Sequence, residues 1–140
     1  VIRSLKKLTS GGKYVAKIVS TITDLTEKEN FKSTRKNILR FANLNIEEKN
    51  KLIKENPSYG KMVCKCELIT EGEIIDAIKR PLGATTIDGV KRRTRAMMGG
   101  CQGIGCMLTI ANILSKELGV DISEIKKNNE SSVVVGYKED

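Results

Sequence analysis

Four cysteines confined to one stretch constrain this chain more than any other feature of it. They stand as Cys64-Lys65-Cys66 and, after thirty-four intervening residues, as Cys101-Gln102-Gly103-Ile104-Gly105-Cys106. A lone free cysteine is commonly a small buried hydrophobe, whereas two close pairs with none elsewhere point to one shared site. Metal or cluster ligation is the leading reading.

Spacing separates the candidates. Structural zinc draws its thiolates from knuckles such as C-x2-C, often with His, and this chain has no His. The second pair would serve as a knuckle, but C-x-C is too tight for an ordinary one. A 2Fe-2S cluster takes two thiolates on each iron, which a C-x-C loop and a second short pair supply. The cluster is therefore preferred, with zinc and then a disulfide framework as alternatives. An anionic cluster also needs nearby N–H donors. Gly99, Gly100, Gly103 and Gly105 would let the backbone approach the sulfurs, and a helix starting near Cys106 would aim its N-terminus at them.

The surrounding residues carry a family likeness. Tyr59-Gly60-Lys61-Met62-Val63-Cys64-Lys65-Cys66-Glu67, Thr70-Glu71-Gly72-Glu73-Ile74, the run from Gly83 to Ala96, and Cys101-Gln102-Gly103 together resemble the bacterioferritin-associated-ferredoxin-like (BFD-like) 2Fe-2S domain. They are most similar to the form at the C-terminus of FAD-dependent glycerol-3-phosphate dehydrogenases. Free-standing ferredoxins of this family close with C-x2-C; the C-x4-C here matches the dehydrogenase-linked form. The likeness covers about residues 35–120. It implies that Cys64, Cys66, Cys101 and Cys106 are all cluster ligands, that FAD belongs to a parent enzyme rather than to this chain, and that the cluster relays electrons from that flavin to an acceptor. The expected fold is mainly α: a small module of short helices with ligand loops, preceded by a linker and an amphipathic helix.

Composition agrees with a modest module. The chain has 140 residues, 39% of them hydrophobic, with three Tyr and two Phe, so its core must be aliphatic and a cofactor would staple it. Free paired thiols suit a reducing cytoplasm, and no apolar run approaches the length of a membrane span. A first residue of Val rather than Met suggests a piece of something longer. The formal net charge is +8, with 13 basic and 6 acidic residues in 1–60, 8 and 5 in 61–106, and 4 and 6 in 107–140. Such a balance suits acidic partners, but without interleaved aromatics or a reader motif no nucleic-acid partner is expected.

The chain divides into four expected parts. Residues 1–25 read as the end piece of a preceding flavin domain, in which Tyr14, Val15, Ile18, Val19 and Ile22 form the apolar stripe of a three-turn helix over Lys13 to Ile22. Fragments of residues 2–17 resemble the last loop and helix of the flavin domain. Residues 26–40 read as a linker, residues 41–127 as the cluster module and residues 128–140 as a tail, with Val133-Val134-Val135 a candidate edge strand.

Within the module, Asn45 is expected to cap a helix through Glu48 that stops at Asn56-Pro57, with Phe41 and Leu44 docking it. Val63 to Leu68 reads as an extended ligand loop. Thr70 and Glu73 form a capping box ahead of Ile74, Ile75, Ala77 and Ile78. Thr85 or Thr86 starts a helix with Ile87, Val90, Thr94, Met97 and Met98 on one face and Lys91, Arg92, Arg93 and Arg95 on the other. The last long helix should run from Cys106 to Leu118 and stop at Gly119, with Asp121 capping a short one after it.

That basic cluster reads either as a wet helix face or as charges that assist docking and favour the reduced state. Two helices meeting near Gly83 also outline a helix–turn–helix, but a helical hairpin alone is weak evidence. No nucleophile lies beside a base, and there is no GxGxxG or P-loop pattern, so no catalytic residue is assigned. The rivals to the electron-transfer reading are a zinc-binding interaction module and a free-standing regulatory ferredoxin.

Overall fold

The protein is described by a computed structural model covering residues 2–22, 37–132 and 134–135. The chain divides into two compact units, residues 1–35 and 36–140. Within the first unit, helix α1 spans Ile2–Ile22, longer than the Lys13–Ile22 stripe suggested, and it continues through Gly11 and Gly12. Tyr14, Val15 and Ile22 are exposed. Residues 23–36, and with them most of the expected linker, lie outside the described residues, as do Val133 and the end of the tail.

The second unit is mainly α, as expected, with helices α2 (Ile46–Glu55), α3 (Glu71–Lys79), α4 (Ile87–Thr94) and α5 (Met107–Leu118). Local chemistry sets their ends. Asn45 accepts from the Glu48 N–H while the Glu48 carboxylate accepts from the Asn45 N–H, and Asn56 closes α2. Thr70 and Glu73 form the same reciprocal box at the start of α3. Thr86 caps α4, and Gly119, at φ +69°, ends α5 in the left-handed conformation that glycine tolerates best.

Packing follows from these ends. Helix α3 lies against both α4 and α5, and Ile74, Ala77, Val90, Ile110, Ala111 and Leu114 are fully buried where they meet. The C-terminal segment is partly structural. Lys126 and Lys127 lend their carbonyls to the Ile87 and Asp88 N–H groups, which have no partner inside α4. Ile125 is buried and Val134 packs on the core, but Val134 and Val135 form no strand.

Two departures concern the cysteines directly. Residues expected as one extended loop form a small hairpin: β1 (Met62–Cys64) pairs antiparallel with β2 (Ile69–Thr70), and Cys66 lies in the turn between them. Helix α4 also stops a turn short of the methionines. Arg95 adopts φ +69°, so Ala96, Met97 and Met98 belong to the loop leading to Cys101 instead of to the α4 face. The Thr94 hydroxyl explains part of this break, since it donates to the Val90 carbonyl and accepts from the Ala96 N–H.

Candidate metal centre

The four thiols come from two short segments. The β1–β2 hairpin supplies Cys64 and Cys66; the loop between α4 and α5 supplies Cys101, and Cys106 occupies the N-cap position of α5. All four are free. Their pairing crosses the sequence pattern. Cys66 Sγ lies 3.4 Å from Cys101 Sγ, while Cys106 is close enough to Cys64 for their thiols to interact. The Cys64 and Cys106 pair is buried; Cys66 is exposed and Cys101 partly so.

The thiols differ electrostatically for physical reasons. Burial, and then the neighbouring Cys64, push the Cys106 thiol up to about 11. Cys101 is held below the ordinary thiol value, chiefly by the Gly103 N–H pointing at it and then by the Cys66 thiol, with the Gly105 N–H adding to them. Cys66 is raised because it donates to Cys101. One sulfur therefore collects backbone donors of the kind an anionic cofactor requires.

Glycines shape the space around the sulfurs, though not all of those the sequence suggested. A Cβ on Gly99 would lie 2.3 Å from the Cys66 Cβ and 3.5 Å from its Sγ, so only glycine lets this loop close on the hairpin. Gly103, at φ +92°, occupies a conformation that side chains rarely adopt. A Cβ on Gly100 or Gly105 would meet nothing within 4 Å, so neither is required for a close approach in the described structure.

The basic cluster has two structural members. The Arg93 guanidinium donates to the Gly89 carbonyl at 3.0 Å and to the Leu82 carbonyl at 2.7 Å, fastening the turn before α4. Arg95 pairs with Glu67 at 3.1 Å and so ties the end of α4 to the hairpin turn. Arg92 stands 4.0 Å from Asp88. Sequence reasoning also missed Glu73, whose buried carboxylate accepts from the Thr70 N–H, the Thr70 hydroxyl and the Phe41 N–H. Only its capping role was signalled, because the Phe41 contact spans distant sequence.

The donor set fits a 2Fe-2S group: two pairs of soft thiolates, backbone N–H groups aimed at one of them, and a glycine cradle beside another. Among the described residues, no group of three or more Cys, Asp or Glu side chains is arranged as a cage for a single metal ion. A single zinc ion, the alternative left open by the sequence, gains no support. No helix of the described residues is long and apolar enough to cross a membrane.

Comparison with known proteins gives the same answer for the centre of the chain. Residues 62–116 match the BFD-like 2Fe-2S binding domain. The chain is 48% identical over 123 residues to a glycerol 3-phosphate dehydrogenase of Caloramator mitchellensis, a match covering 87% of this chain and 26% of that protein. It is 43% identical over 56 residues to the anaerobic glycerol-3-phosphate dehydrogenase subunit A1 of Haloferax volcanii, covering 40% of this chain and 9% of that one. Over 58 residues it is 40% identical to the hydrogen cyanide synthase subunit HcnB of Pseudomonas aeruginosa, covering 41% of this chain and 12% of the relative. The chain thus spans about a quarter of the Caloramator relative's length or less of each. No solved structure matches it. Residues 62–116, the segment that holds the hairpin and the paired thiols, are thus what matches the BFD-like 2Fe-2S binding domain.

Proposed function

We propose that Cys64, Cys66, Cys101 and Cys106 hold one 2Fe-2S cluster, and that the domain relays single electrons between a flavin in the same enzyme and an acceptor. The parent is read as an FAD-dependent oxidoreductase resembling glycerol-3-phosphate dehydrogenase. The observation that carries this is the convergence of two thiol pairs from the hairpin and the α5 loop, one pair buried and one open. The names of the first two relatives support the choice of parent.

When bound, the cluster supplies one-electron redox chemistry. This chain's residues hold and shield it: Ala96 and Met97 are buried beside the ligand loop, and the Gly103 and Gly105 N–H groups balance negative charge on the Cys101 sulfur. Oxidation of the hydroxylated substrate is assigned to the flavin domain, with FAD bound there. Residues 1–25 are read as that domain's end piece, residues 26–40 as a linker and residues 128–140 as a tail. The free thiols suit a reducing compartment such as the cytoplasm.

The test uses the parent enzyme. Reduction of its flavin by glycerol 3-phosphate under anaerobic conditions should be followed by loss of the cluster's visible absorption within the same molecules. A cluster that stays oxidised while the flavin is reduced and an acceptor turns over would contradict the relay.

A further inference from the structure

We propose that the face carrying Cys66 and Cys101 docks a separate redox protein whose own contact surface is apolar at its centre and ringed by carboxylates. The inference rests on the four thiols being cluster ligands, and adds which edge of the site is used and by what kind of partner.

The first argument is asymmetry. Cys64 and Cys106 are 1% and 3% exposed, whereas Cys66 is exposed and Cys101 partly so. An electron entering or leaving has its shortest path to the outside through the second pair.

The second argument is what flanks the ligands along the chain. Ile104, between the ligands Cys101 and Cys106, is 92% exposed; Leu108, in the first turn of α5, is 58% exposed; Leu68, two residues after Cys66, is 52% exposed. Scattered exposed apolar residues need no explanation, but three on the segments that deliver the thiols are a different matter. Leu68 is also held at φ +53°, a left-handed conformation that a side-chain-bearing residue adopts at a cost. Glycine or asparagine would occupy this turn at lower cost, so fold stability gives no reason for an exposed leucine there.

The third argument is charge, and it selects the partner. The stretch from Met97 to Thr109 contains no carboxylate. In the hairpin turn Glu67 is engaged by Arg95, while Lys65 is exposed between the two ligands. The face is therefore apolar with the Lys65 charge beside it, in a segment, residues 61–106, that carries 8 basic and 5 acidic residues. A second copy would present the same sign and be repelled; a carboxylate-ringed surface would be drawn in.

Two haem proteins serve as opposite probes: cytochrome b5, with carboxylates around its haem edge, and cytochrome c, with lysines. In each reaction one electron leaves the reduced domain and converts one ferric haem to ferrous. Iron and sulfide are measured first. With cluster present, transfer to cytochrome b5 should slow as salt rises, and transfer to cytochrome c should quicken. Ile104→Glu should lower the low-salt rate to cytochrome b5 by about tenfold, while Ile104→Gln, which keeps the charge unchanged, should retain the salt slopes. Lys116→Glu, eight residues beyond Leu108 on α5 and so about 12 Å along the helix, should change little. Wild-type salt slopes of the opposite sign, equal effects of Ile104→Glu and Lys116→Glu, or a dimer formed through Ile104 would overturn the docking face alone. A preparation that cannot be given a cluster would overturn both readings.

Discussion

Cys66 Sγ lies 3.4 Å from Cys101 Sγ, although the two residues are thirty-five positions apart. The hairpin turn and the α4–α5 loop must both be in place for that contact to form, and Gly99 is the residue at which they meet. Gly99→Ala would set a Cβ 2.3 Å from the Cys66 Cβ. Overpacking of this kind typically costs about 1–3 kcal/mol. The expected outcome is reduced thermal stability and lower iron and sulfide content, whereas Gly100→Ala should leave both unchanged.

Glu73 joins distant segments through one buried carboxylate. Besides closing the α3 capping box, it accepts from the Phe41 N–H at 3.3 Å, and Arg40 reaches within 4.0 Å of it. Removing the acceptor leaves buried donors without partners, each at a cost of about 1–3 kcal/mol. Denaturant unfolding of Glu73→Ala should show a loss of about 3 kcal/mol. A loss no larger than that of Glu48→Ala, which removes only an exposed cap, would refute this role.

Tyr59 gives the fold a pH dependence at the alkaline end. Burial raises its hydroxyl above the ordinary value of 10.0, helped by the 2.5 Å hydrogen bond to Asp76 and by the negative charges of Asp76 and Glu73. The folded state thus holds a proton that the unfolded chain releases near pH 10. This contribution is complete below about pH 10 and shrinks as pH rises toward the raised folded value. Tyr59→Phe should cost about 1 kcal/mol at neutral pH and flatten the fall in stability above pH 10. A fall of unchanged steepness would assign the dependence to other groups.

The apolar stripe of α1 predicts a separable first segment. Tyr14 is 69% exposed and Ile22 77%. Deleting residues 1–25 should leave the cluster intact and reduce self-association, measured by sedimentation alongside iron content. Loss of the cluster would make this helix part of the module's own core and end the two-part reading.

The helices of the second unit were legible because their signals are local. Asn45 with Glu48, Thr70 with Glu73, and Gly119 act within four residues of what they cap, and the stripe of Ile74, Ala77 and Ile78 follows one helical period. What the sequence concealed depends on distant pairing. The β1–β2 hairpin is too short to alternate visibly, and Met97 and Met98 keep a helical spacing from Val90 that the left-handed Arg95 interrupts. Counting proposes one site for the four cysteines, but the crossed pairing of Cys66 with Cys101 was not legible, because both members of each sequence pair look equivalent until burial separates them. The basic cluster was legible as an exposed face, since Arg92 and Arg95 are exposed, but its partners were not. Arg93 and Arg95 look like a wet face, yet their partners, the Leu82 carbonyl and Glu67, lie eleven and twenty-eight residues away.

The assignment of all four thiols to one cluster is tested most directly by iron and acid-labile sulfide content, read with the visible and EPR spectra, of anaerobically prepared wild-type protein beside double Cys→Ser variants. We expect two iron and two sulfide per chain in the wild type, a rhombic signal on one-electron reduction, and loss of both cluster and signal when Cys66 and Cys101 are replaced together. Full occupancy after any two of the four cysteines are replaced would contradict the assignment.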